Sequence, residues 1–186
     1  MSAPPVAPIP SALPRIQIAS DVHVPQWAAR RRTPPFSAAP QANPLILAGD
    51  ICNGLPDPQT MNWLSNLSGM PYWEDGILMV LGNHDYYGLD LDHAIDLWRE
   101  ALKGTRIRLL HREVAQIGAA RVAGCTLWTD YDRADRYVMR LAQMCMSDHR
   151  CITCGGSPAL PASMLAAPQA RRHFLPGLTP GADDAP

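Results

Sequence analysis

Three short apolar runs along the chain each end in a polar loop. Arg15-Ile16-Gln17-Ile18-Ala19-Ser20 alternates polar and apolar residues and predicts a first strand. Pro44 to Ala48 and Gly76 to Leu81 are apolar almost without a break, and runs of this length predict strands buried on both faces. Residues 24–43 lack periodicity and read as a loop with room for one helical turn. Thr60 to Leu67 predicts a short helix carrying Met61, Leu64 and Leu67. The clearest helix follows Asp90, which can cap it. Leu91, Ile95, Trp98 and Leu102 recur at helical spacing, and Gly104 can close it. Ile107 to Leu110 and Val114 to Ile117 predict strands of a second sheet, and Arg121 to Trp128 another strand. Asp135 to Asp148 is helical by period, with Val138, Leu141, Ala142 and Cys145 on one face. Strands alternating with helices in this order imply an α/β domain.

Composition divides the chain into three parts. Residues 1–14 are a Pro/Ala-rich lead-in, 15–150 form the domain, and 151–186 are a Pro/Ala/Gly-rich tail that reads as disordered. The formal net charge of −1 leaves no nucleic-acid footprint, and Arg30-Arg31-Arg32 reads as a solvated loop. No apolar stretch reaches the roughly 18 residues that span a membrane. The N-terminus lacks the basic and apolar regions of a secretory signal. Five cysteines without disulfide-like spacing fit a reducing cytoplasm, and Cys151-Ile152-Thr153-Cys154 lacks the second pair of a zinc knuckle.

The chemistry lies in the loops. Asp21-Val22-His23, Gly49-Asp50 and Gly82-Asn83-His84-Asp85 each begin where a predicted strand ends. Open α/β sheets gather such loops at one rim. In an extended chain Asp21 and His23 point to the same side and suit one metal. The Asp50 carboxylate can bridge two cations, and Gly49 lets backbone approach a crowded site. Asn83 offers a neutral oxygen to the second cation. His84 points elsewhere and suits proton transfer, with Asp85 able to hold its imidazole in one tautomer. Two divalent ions (Mn, Fe, Zn or Ni) about 3.5–4 Å apart can clamp a phosphoryl group and activate a bridging water. Phosphate-loop, nucleophile-elbow, His-Glu-x-x-His and dinucleotide motifs are absent from the sequence.

The ordered set resembles the calcineurin-like metallophosphoesterase superfamily. Gly124 to Tyr131 and Met146 to Arg150 look like segments of a bacterial branch of it. The resemblance covers roughly residues 15–150. It implies a four-layer α/β/β/α sandwich and hydrolysis of a phosphate ester by a metal-bridging hydroxide. Asp21 and His23 would bind the first metal, Asp50 would bridge, Asn83 would bind the second, and His84 would assist the leaving group. The family pattern continues with a lone His and then Gly-His-x-His, and nothing after residue 150 matches either. His173 follows Arg171-Arg172 and is the only histidine there, while His93 and His111 lack ligand context and His149 reads as structural or surface. The expectation is a domain truncated or frameshifted at its C-terminus, with apolar surface left bare. The alternative function is a non-catalytic remnant that binds metal or phosphate weakly.

Overall fold

The computed structural model describes residues 15–74 and 76–166. The lead-in, His173 and the tail beyond 166 lie outside the described residues. β1 (Gln17–Ala19), α1 (Val24–Ala29), β2 (Leu45–Ala48), α2 (Pro58–Gly69), β3 (Ile77–Val80), α3 (Ala94–Ala101) and β4 (Ile107–Leu109) alternate along the chain. The four strands form one parallel sheet in the order β1-β2-β3-β4. This corrects one expectation. Ile107 to Leu110 does not start a second sheet; β4 pairs with β3, Ile77 facing Ile107 and Met79 facing Leu109. The reason is local, since β4 follows helix α3 and completes one more strand–helix–strand crossover.

Strands are added in sequence order, always at the same edge. Right-handed crossovers therefore put α1, α2 and α3 on one face of the sheet. The main core fills that space: Leu45, Leu47, Ile77 and Met79 of the strands pack with Leu64, Leu67, Ile95 and Trp98 of the helices. The predicted stripe of Leu91, Ile95, Trp98 and Leu102 is buried throughout. Asp90 does not cap the helix with its side chain. Its carboxylate accepts instead from Asp92 N, Thr153 Oγ1 and Gly156 N at 2.8–3.1 Å.

The opposite face carries the row Ile18, Ile46, Leu78. An antiparallel hairpin, β5 (Glu113–Ile117) and β6 (Ala120–Gly124), supplies the second sheet. Ala115 and Ile117 close over Leu78 and Leu110 in a small second core. The hairpin does not reach β1. Ile18 stays 65% exposed, and Leu127 beyond β6 is 76% exposed. The layering of helices and two sheets agrees with the mixed α/β sandwich expected from sequence.

The chain continues through a left-handed turn, α4 (Tyr131–Ala134), then α5 (Arg136–Cys145) and α6 (Asp148–Cys151). A two-residue hairpin, β7 (Thr153–Cys154) and β8 (Ser157–Pro158), precedes α7 (Pro161–Ala166). The apolar face expected on α5 is mostly uncovered, with Ala142 buried and Leu141 48% exposed. Residues 151–166 also depart from the expected structureless tail. Gly155 and Gly156 both take positive φ and turn the β7–β8 hairpin, as two-residue loops favour. Ile152, Ala159 and Met164 are buried in the main core. Proline-rich composition masked this, because Pro158 and Pro161 sit at element ends where no backbone donor is needed.

Ile152→Ala should therefore cost about 3 kcal/mol in urea denaturation, as for a buried aliphatic side chain. Met144→Ala, on the 67% exposed residue of α5, should cost under about 0.5 kcal/mol. A loss below about 1 kcal/mol for Ile152→Ala would contradict the packing of residues 151–166.

Candidate metal centre

The three motif loops meet beyond the carboxyl ends of β1, β2 and β3, and backbone hydrogen bonds zip them together. Asp21 N, His23 N and Val24 N donate to Gly49 O, Asp50 O and Ile51 O at 2.8–3.0 Å. On the other side, Gly54 N donates to His84 O at 2.9 Å, and His84 N donates to Asp50 Oδ1 at 3.0 Å. Glycine makes the approach possible. A Cβ on Gly49 would lie 2.6 Å from Gly82 N, and one on Gly82 would lie 2.6 Å from Asp50 N.

The motif side chains are carried on an unusual backbone. Asp21, His23 and Asp50 have φ of 54°, 44° and 57°. The left-handed region costs a non-glycine residue of order 1–3 kcal/mol, and such strain gathers at functional sites. Asp21 and His23 therefore do not lie in extended chain as expected from sequence; both residues are left-handed. His23 turns inward, while Asp21 stays exposed on the wall of a groove of about 370 Å³ that Asp50 and Asn83 also line.

His23, Asp50 and His84 converge, their nearest ligand atoms all within 4.8 Å of one another. His23 Nε2 stands 3.9 Å from Asp50 Oδ2, too far for a hydrogen bond. Its Nδ1 is buried without a partner. The His23 and His84 rings meet edge to face at 4.8 Å. Two imidazoles and a nearly buried carboxylate, close but not bonded to each other, fit a divalent first-row cation. Asp50 and His23 could hold it, with Asp21 and Asn83 on the adjoining groove wall.

Asp85 has a different task from the expected one. The His84 ring does not pair with it; His84 Nδ1 pairs with Asn53 Oδ1 at 2.8 Å. The Asp85 carboxylate is fully buried beneath the loops. Its Oδ2 accepts from Asp50 N and Gly82 N, and its Oδ1 accepts from Ile51 N and Cys52 N, at 2.8–3.0 Å. Burial pushes its pKa up to about 6, against the lowering effect of the backbone donors. The sequence motif could not show which way the Asp85 side chain turns.

Three residues of the site escaped sequence reasoning. Asn53 orients His84, and its only signal was its place three residues after Asp50. Tyr87 lays its ring 4.4 Å from that of His84, tilted by 31°. Asp148 accepts from Asn83 Nδ2 and from Tyr87 OH, both at 2.8 Å. Burial and the bond to Asp148 raise the Tyr87 phenol, which stays a donor. His149 is buried and structural, its Nδ1 paired with Ala159 O at 2.6 Å. His93 and His111 take no part in the His23–Asp50–His84 cluster.

An Asn at position 85 could accept through one oxygen only and would set its amide group against the remaining backbone donors. Asp85→Asn should therefore cost about 3 kcal/mol or more in urea denaturation. A loss under about 1 kcal/mol would mean that the four donors do not hold the loops.

No curated protein matches the chain. Residues 14–138 match the calcineurin-like phosphoesterase family, and they include all three metal-centre motifs. The chain belongs to the calcineurin-like phosphoesterase family.

Proposed function

We propose that this chain hydrolyses a phosphate ester at the His23–Asp50–His84 cluster, using divalent metal. The observation that carries the reading is the convergence of these three side chains, within 4.8 Å, on the rim where the parallel strands end. Asp21, His23 and Asp50 would hold one ion, and Asp50 with Asn83 a second, drawn from Mn, Fe, Zn or Ni. Bound metal would neutralise phosphoryl charge and polarise the ester.

The chain's own residues divide the remaining work. Asn53 engages His84 Nδ1, which leaves Nε2 as the ring nitrogen able to carry a proton to the departing oxygen. The ring is steadied on both sides, by the edge of His23 and the tilted face of Tyr87. Val80, Leu127 and Trp128 give the groove an apolar wall beside Asp21, Asp50 and Asn83. That wall shields one flank of the ester from water while the carboxylates stay at the open rim.

A second reading is a metal binder without turnover. It is favoured by the size of the cluster, since the described residues offer three clustered His and acidic ligands rather than two full ligand shells. The two readings separate in one assay. With Mn²⁺ added, p-nitrophenyl phosphate should be hydrolysed, and Asp50→Asn should lower kcat/KM at least about 100-fold. His84→Asn should slow a poor alkoxide leaving group about 100-fold but an aryl leaving group much less, because only the former needs the proton. Mn²⁺ binding with no turnover by the unaltered chain would support the binder. Turnover unchanged in Asp50→Asn would refute the proposed site.

A further inference from the structure

Asn83 and Tyr87 lie on opposite sides of His84 in sequence, yet both donate to one oxygen of one distant residue. Asp148 is 4% exposed and begins α6. Its Oδ1 takes the Asn83 amide Nδ2 and the Tyr87 hydroxyl, each at 2.8 Å. The Asp148 oxygen accepts from the amide nitrogen, and this turns the Asn83 carbonyl oxygen away from it. The Tyr87 tether holds the phenol ring against His84. α6 is a firm platform for this. His149 is tied to Ala159 O, Ile152 is fully buried, and Gly88 N donates to Cys151 O at 2.6 Å.

We propose that Asp148 is a positioning residue for the metal centre: it fixes the Asn83 amide with its carbonyl oxygen free for a cation, and it clamps the Tyr87 ring against His84. The first arm rests on the reading of Asn83 as a metal ligand; the second does not. A site carboxylate of this kind acts through the groups it orients, and removing such a partner weakens metal binding about 10- to 100-fold.

Two measurements on the full chain test the two arms. In Mn²⁺ titration calorimetry, Asp148→Ala should weaken binding about tenfold. Asp148→Asn, which keeps an accepting oxygen, should recover part of that loss. The double variant Asp148→Ala/Asn83→Ala should bind no more weakly than Asn83→Ala alone, because the two residues act through one ligand. Additive losses, or unchanged affinity in Asp148→Ala, would overturn the first arm. In NMR of the metal-free chain, the His84 ring protons feel the Tyr87 ring current. Asp148→Ala and Tyr87→Phe should both move them toward their positions in Tyr87→Ala. Unmoved resonances would overturn the clamp. If Asp148→Ala does not fold, Asp148→Asn and Tyr87→Phe carry both tests, with smaller shifts in the same direction. Failure of the metal reading itself shows separately, as no Mn²⁺ binding by the unaltered chain, and overturns the first arm while the resonances still decide the second.

Discussion

One buried carboxylate organises the centre. Asp85 has no contact with water and accepts four backbone N–H groups, three from the loop after β2 and one from its own loop after β3. Burying an ionised group is costly unless it is fully paired, so the donors and the acceptor specify each other. The loop bearing Asp50 cannot drift without stranding that charge. Its left-handed turn at Asp50, its approach to Gly82 and the placing of Asp50 Oδ1 under His84 N all follow from the same clamp.

The sheet explains where the clamp sits. Sequential parallel strands put α1, α2 and α3 on one face and leave the loops at one rim. The same rule leaves the other face to the β5–β6 hairpin, which covers β3 and β4 but not Ile18 on β1. The groove at the rim is therefore polar at Asp21, Asp50 and Asn83 and apolar along Val80 and Leu127. Beyond the hairpin, α6 and β7–β8 return to the centre. Backbone bonds from Leu91 N to Thr153 O and from Thr153 N to Leu89 O, at 2.9 and 3.0 Å, lay this segment behind the third motif loop.

Much of the framework could be read from residue patterns. The apolar runs at β2 and β3 and the stripe on α3 have one physical solution each, and the glycines after the strands marked close backbone contact. What could not be read was orientation. Asp21 and His23 depend on left-handed backbone that local sequence does not announce. Adjacency in sequence pairs Asp85 with His84, whereas in three dimensions its carboxylate takes four backbone donors instead of one ring nitrogen. Asp148 lies 65 residues from Asn83, and no short-range pattern links them. The α5 stripe failed for the opposite reason: periodicity promised burial, but of Val138, Leu141, Ala142 and Cys145 only Ala142 is buried.

His23 and Asp50 come together with His84 as a candidate cation site, and metal holding by His23 and Asp50 is what we propose for it. Electron spin-echo envelope modulation of the Mn²⁺-loaded chain tests it most directly, because it detects imidazole nitrogen bound to the ion. An ion held by His23 should give a nitrogen-14 modulation that is lost in His23→Ala. A Mn²⁺ spectrum without imidazole modulation, or one unchanged by His23→Ala, would contradict it.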